Sequence, residues 1–383
     1  MGIKRNIAQS ILSLKDKYPV LAVTGPRQSG KTTMLKSVFP NYRYVNLENP
    51  SVLDFAKADP NGFLAEYDNA CIFDEVQRAP ELFSYIQDVV DREKTMGRYV
   101  LSGSQNFHLI KSITQSLAGR VALFKLFPLD NLEMKRAGIL GDSYETAILK
   151  GCYPAIYDRE IPIKTFFNNY IQTYIERDVS ELLHIKDIRL FRNFISLCAT
   201  RVGNPLNLAS IARDCGISAP TASAWLALLE SSYVVFLLPA YFNNLSKRIT
   251  KAPKIYFYDS GLLCSFLKIS STEQIKNHPQ KGLLFENYAM AEMVKQNAHL
   301  DLQNEMYYWR DSHENEVDLL IPTEKGLDYF EIKCTQTITQ KLFAGLFKFK
   351  NIAGDITHKA HLIHAGKEDY EQLDVQLIPW NKI

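Results

Sequence analysis

Cysteine is scarce in this chain of 383 residues: six stand singly, at Cys71, Cys152, Cys198, Cys215, Cys264 and Cys334. None forms the close pairs that a zinc site or a disulfide framework requires, so they read as reduced core residues of a cytoplasmic protein. Long apolar runs are missing too, and with them any bilayer span. The first twenty residues mix Lys4, Arg5, Lys15, Asp16 and Lys17 with an amphipathic Ile7, Ile11, Leu12, Leu14 pattern, unlike a secretory leader. No membrane partner is expected. Charge of one sign is not in excess either: 44 Lys+Arg against 42 Asp+Glu leave +2, which excludes a globally basic nucleic-acid binder and leaves only local patches for that role. Eighteen Gly and 16 Pro are too few for a collagen-like or low-complexity chain. The length is too great for one small module and predicts two or three domains.

What is present starts with residues 19–23, an apolar run that reads as a buried strand, and with a helical stretch through Leu35 and Val38. Between them Gly25, Pro26, Arg27, Gln28, Ser29, Gly30, Lys31 and Thr32 spell GxxxxGK[ST], with Thr33 following. In this context the glycines let backbone N–H groups close around a phosphate at a helix N-terminus. Lys31 supplies a point charge for the β- and γ-phosphates, and Thr32 a hydroxyl for Mg²⁺. The chemistry indicated is ATP binding.

A second apolar run, residues 70–73, ends in Asp74 and Glu75, placing two acids at a strand's C-terminal end, where open α/β sheets bind ligands. Asp74 would hold the metal, and Glu75 would act as general base on the attacking water. A third run, 98–101, ends in Ser102-Gly103-Ser104-Gln105; Ser104 or Gln105 either senses the γ-phosphate or forms an ordinary turn. Further strands at 42–47 and 121–126, with helices at 80–94 and 107–117, give the strand–helix alternation of a parallel sheet covered on both faces.

These motifs, together with LAGRV at 117–121 and YFYDSGLL at 256–263, resemble prokaryotic AAA-type ATPases whose core is followed by a C-terminal domain of unknown function. The resemblance implies that Lys31 and Thr32 are the phosphate-loop positions, Asp74 and Glu75 the metal-and-water pair, and Ser104 or Gln105 the sensor. Arg120 is either a sensor or arginine finger, stabilising charge near the γ-phosphate, or the cap of a helix.

Beyond residue 140 the alternation stops, and Gly151, Pro154 and Pro162 interrupt the chain. Residues 166–183 read as a helix. Residues 206–229 carry a helix-turn-helix spacing, with Gly216 at the turn and Ser218 as N-cap, but the second helix has no Lys or Arg. A winged-helix-like packing unit is therefore favoured over base readout. Nearby, Lys247, Arg248, Lys251 and Lys254 form an acid-free basic stretch that either contacts DNA phosphates or is a solvated loop.

The last third places Glu286 on a helix, Asp318 on a strand at 316–321, and Glu331 and Lys333 on a neighbouring antiparallel strand at 328–333, where period-two alternation puts the last two on one face. Paired carboxylates beside a lysine suit metal-assisted phosphodiester chemistry, and equally a solvated sheet edge. The pattern resembles the PD-(D/E)xK nuclease superfamily, with Gln336 near a position where some members keep glutamine, but Val317 stands where that motif has proline. The expected organisation is α/β throughout. It comprises a P-loop NTPase parallel sheet over 1–140, a helical winged-helix-like region over 141–260 and a nuclease-like domain over 261–383. The function expected is an Mg²⁺-dependent ATPase regulating its C-terminal domain. The alternatives are an ATP-regulated DNA nuclease, or a nucleotide-stabilised scaffold for a protein partner or a second copy of the chain.

Overall fold

The structure, a computed structural model, describes residues 2–104, 116–180, 182–183, 185–241 and 252–383. The chain divides into two compact units: Met1–Leu129 with Ser231–Tyr233 and Ala298–Leu302, and Asp130–Glu230 with Val234–Asn297 and Gln303–Ile383.

In the first unit, β1 (Val20–Thr24), β2 (Arg43–Asn46), β3 (Cys71–Asp74), β4 (Tyr99–Gly103) and β5 (Val121–Lys125) form one sheet in the order β2-β3-β4-β1-β5. All pairings are parallel. The five expected strands are the five observed. Alternation divides the central strands between two apolar layers, with Ala22, Phe73 and Leu101 on one face and Val23, Ile72 and Val100 on the other. Each layer is covered by helices, among them Leu82–Glu93, which buries Phe83, Ile86 and Val90, and Lys31–Val38, which buries Met34 and Leu35. Most of the helix expected at 107–117 lies outside the described residues. Two distant segments complete this unit. The Tyr233 hydroxyl meets the Thr24 hydroxyl at 2.8 Å, and the Phe127 N–H donates to His299 Nε2 at 3.1 Å.

The second unit begins helical. Helices Ile188–Thr200, Leu208–Cys215 and Ala219–Ser231 are followed by an antiparallel pair, β6 (Val235–Leu238) and β7 (Lys254–Phe257). Gly216 turns the chain at φ +74°, and the Thr221 N–H donates to Ser218 Oγ at 3.2 Å, as the helix-turn-helix spacing predicts. The helix expected over 166–183 is instead an α-helix, Ile163–Tyr170, that widens into a π-helical segment, Ile171–Val179.

The rest of this unit is a six-stranded sheet of β8 (Tyr307–Arg310), β9 (Glu316–Thr323), β10 (Gly326–Lys333), β11 (Thr357–His364), β12 (Glu371–Gln372) and β13 (Val375–Pro379), ordered β12-β13-β11-β10-β9-β8. It is antiparallel from β8 to β10, but β10, β11 and β13 run parallel, so the sheet is mixed and not simply antiparallel. Between β10 and β11 the chain crosses over through the helix Ala344–Ala353, and a crossover is what makes parallel pairing accessible.

One apolar core serves both segments expected over 141–260 and 261–383, and they share one compact unit. Phe194 and Leu229 from the helices, Phe257 from β7, Phe285 from the helix Lys281–His299, and Leu319, Ile332 and Ile363 from the mixed sheet belong to a single buried cluster. A border at 260/261 would also separate Asp259 from the helix Ser260–Phe266 that it caps. Asp259 Oδ1 accepts the Leu262 N–H at 2.8 Å, and Oδ2 accepts the Cys152 N–H at 2.7 Å. Gly151, at φ +64°, makes room for this carboxylate, since a Cβ there would lie 2.4 Å from Asp259 Oδ1. Asp259→Ala would strand two buried N–H donors, and it is expected to lower unfolding free energy by about 2–4 kcal/mol in urea titrations of the full chain.

Candidate functional site

Parallel pairing sends the C-terminal ends of β1, β3 and β4 to one edge, with Asp74 and Val23 flanking Ser102 in register. The loop leaving β1 turns at Gly25, where φ is +153° and a Cβ would meet the Leu126 carbonyl oxygen at 2.0 Å. Gly30, at φ +93°, opens the Lys31–Val38 helix. Pro26 and Ser29 are buried, Arg27 lies 3.7 Å from Glu48, and Gln28 and Thr33 are exposed. The Ser29 hydroxyl is buried without a hydrogen-bond partner.

Lys31 is 6% exposed, and its ammonium donates to the carbonyls of Gly25 (3.0 Å) and Pro26 (2.9 Å). Burial pulls its pKa down to about 8, against the opposing pull of Glu75 and Asp74. Thr32 Oγ1 donates to Asp74 Oδ2 at 2.6 Å, and the Tyr44 hydroxyl donates to the same oxygen at 2.8 Å. Glu75 sits at φ +54°, and its Oε2 accepts from Gln77 Nε2 (2.5 Å) and Ser104 Oγ (3.0 Å). A hydroxyl and a carboxylate held together are the oxygen donors that a hard divalent cation takes. Beneath the loop, the Arg5 guanidinium donates to the carbonyls of Ser29 (2.7 Å) and Phe127 (2.6 Å).

A second cluster lies within the other unit. Continuing the β9–β10 register places Asp318 opposite Glu331, and Asp318 Oδ2 accepts the Ile332 N–H at 2.8 Å. Glu331 pairs with Lys333 at 2.5 Å. Lys254 on β7 is 1% exposed, and its ammonium lies 3.1 Å from Glu286, 2.5 Å from Glu316 and 3.9 Å from Asp318. The Tyr256 hydroxyl also donates to Glu286, at 2.6 Å. Burial and the Asp318 charge push the carboxyls of both Glu286 and Glu331 upward. Burial works against the charge on Lys254, but Glu286, Asp318 and Glu316 outweigh it and hold the ammonium protonated.

Residues 17–135 match the AAA domain family. Residues 141–273 and 281–383 match two families described as domains of unknown function, DUF8612 and DUF4143. An uncharacterized protein of Mycobacterium tuberculosis is 29% identical over 337 residues, covering 87% of this chain and 74% of the relative. Another, of Haemophilus influenzae, is 22% identical, covering 68% of this chain and 72% of its own length. Among solved structures, the Walker-type ATPase of Pyrococcus abyssi aligns with a TM-score of 0.46 at 14% identity, covering 68% of this chain and 94% of that one. The N-terminal segment is an AAA-type ATPase core.

Within that AAA core, Gly25–Thr32, Asp74, Glu75 and Ser104 converge at one sheet edge. Arg120 does not. It immediately precedes β5, whose Val121 pairs with Val20 at the start of β1, so it stands at the opposite end of the sheet from the phosphate loop. There it forms a two-pronged pair with Asp91, at 2.5 and 2.8 Å. An arginine so placed cannot reach a phosphate bound by its own chain. Gln105 lies outside the described residues, as do Lys247, Arg248 and Lys251. Lys254 corrects the basic-stretch reading: buried and ion-paired, it presents no charge to DNA phosphates. Glu286, Asp318, Glu331 and Lys333 lie in one cluster with Lys254 and Glu316.

Sequence reasoning missed Arg5, Tyr44, Gln77 and Glu316. For Glu316 a signal existed, since it lies two residues before Asp318 and so on the same strand face. For Arg5 there was none, because its partners are carbonyls that no side-chain pattern reports. Arg5→Ala is expected to weaken nucleotide binding about tenfold, the loss of roughly one charged hydrogen bond's worth of loop preorganisation. Fluorescent-nucleotide titration would measure it.

Proposed function

We propose that the chain is an Mg²⁺-dependent ATPase that uses the nucleotide cycle to alter its second unit. The observation that carries this reading is the Thr32–Asp74 hydrogen bond beside a Glu75 carboxylate oriented by Gln77 and Ser104. Lys31 would exchange its two loop carbonyls for phosphate oxygens, and the buried Ser29 hydroxyl would gain a partner. Thr32 and Asp74 would hold Mg²⁺, which supplies charge neutralisation on the phosphates. Glu75 would take the proton from the attacking water as its oxygen bonds to the γ-phosphorus, with ADP leaving on the bridging oxygen. Ser104, donating to the same carboxylate oxygen, is placed to fix its direction.

The three helices and two strands over 188–257 are read as a winged-helix-like packing unit. Buried Trp225, Leu226 and Leu229 on the second helix of the turn, and the absence of any Lys or Arg on it, support packing over base readout.

Lys31→Ala is expected to abolish ATP binding. Glu75→Gln is expected to keep binding and to lower turnover at least ~100-fold. Full turnover in the Glu75 variant would remove the base role, and tight binding by the wild type without turnover would favour a nucleotide-stabilised scaffold. Equilibrium binding and phosphate release, with and without Mg²⁺, read both.

A further inference from the structure

Around Lys254, oxygen donors arrive from two other elements: Glu286 from the helix Lys281–His299, and Glu316 and Asp318 from β9. Carboxylates gathered on a sheet beside a helix are the donor chemistry of a hard divalent cation. Yet a cation is already there. The ammonium of Lys254 lies within 4 Å of all three carboxylates, and the Tyr308 ring stands 5.4 Å from it. Among the described residues, no three of these carboxylates hold oxygens within 4.8 Å of one another, so they close on the lysine and not on a shared vacant point.

Charge balance agrees. Glu286, Glu316, Asp318 and Glu331 are answered by Lys254, by Lys333 on Glu331, and by Arg310, whose guanidinium lies 3.3 Å from Glu316 Oε2. Arg310 is shared with Glu314 at 3.2 Å, yet a lysine ammonium lies within 4 Å of each of the four carboxylates. A separate observation shows where donor capacity remains. Glu331 is 8% exposed, and its Oε2 is buried with no hydrogen-bond partner.

We propose that Lys254 is the resident cation of this carboxylate set: its ammonium holds the place of a divalent metal, and the site takes a divalent cation only when that ammonium is removed. Lys254 comes from β7, more than sixty residues before β9, so the cation that closes the site is supplied by the hairpin that follows the helix-turn-helix. The inference is independent of the ATPase reading, since no residue of the phosphate loop enters it.

The test uses Mn²⁺ and the nucleotide-free full chain, with bound metal counted by electron paramagnetic resonance and folding checked by circular dichroism. Any Mn²⁺ held at the phosphate loop is common to all proteins compared. Wild type and Asp318→Asn are expected to bind equal amounts. Lys254→Met, which keeps the apolar stem, is expected to bind one further Mn²⁺ per chain, and Lys254→Met combined with Asp318→Asn to lose it. A wild-type Mn²⁺ that Asp318→Asn abolishes would overturn the proposal, and so would a folded Lys254→Met protein that gains none. Should Lys254→Met fail to fold, wild type against Glu286→Gln and Asp318→Asn decides alone: equal binding supports the resident lysine, and loss in either variant overturns it.

Discussion

A parallel sheet cannot scatter its strand ends. Every strand must return through a crossover, so all C-terminal ends face one edge, and whatever polar residues terminate the strands are gathered there without further design. In the AAA core this constraint brings Thr32, Asp74, Glu75 and Ser104 together from positions spread over more than seventy residues. The buried interiors of β1, β3 and β4 then hold the assembly rigid, because shifting any one strand would break packing on both faces of the sheet. The Thr32–Asp74 hydrogen bond is the visible product of that geometry.

The second unit solves a different problem. Its sheet has one face committed to an apolar core shared with the helices, which leaves β7 passing beside acidic residues at the interior's edge. Burying Lys254 there would be costly alone. Surrounded by Glu286, Glu316 and Asp318 it is stable, and breaking such a buried pair by removing one partner typically costs about 3–5 kcal/mol. A chain with this arrangement therefore links hairpin, helix and mixed sheet by charge as well as by apolar contact.

The residues differ in how openly they reveal their positions. Strands β1, β3 and β4 were legible because their buried residues form short continuous apolar runs, β5 because its sequence is apolar although its burial alternates, and the phosphate loop because glycine spacing and a basic residue have few other uses together. Asp318, Glu331 and Lys333 were legible from period two. Lys254 was hidden by its neighbours: next to Lys247, Arg248 and Lys251 it looked like part of a basic stretch, while its carboxylate partners lie at least thirty residues away. Arg120 stood open between a sensor or arginine finger, which the LAGRV resemblance implied, and the cap of a helix at a strand end; strand polarity puts a residue preceding β5 at the end opposite the loop, and that polarity was available from the βα alternation itself.

The hydroxyl pair of Thr24 and Tyr233, and the Phe127 N–H on His299, have a bearing on how the chain is made. Thr24 is the last residue before the phosphate loop, yet its partner is synthesised some two hundred residues later, and His299 later still. At roughly 5–20 residues per second, about 10–30 s separate emergence of the parallel sheet from arrival of the segments that complete its unit. During that interval the nascent AAA core must persist unfinished on the ribosome. The two segments that close this compact unit are thus the last of its parts to be made, after most of the second unit has also emerged.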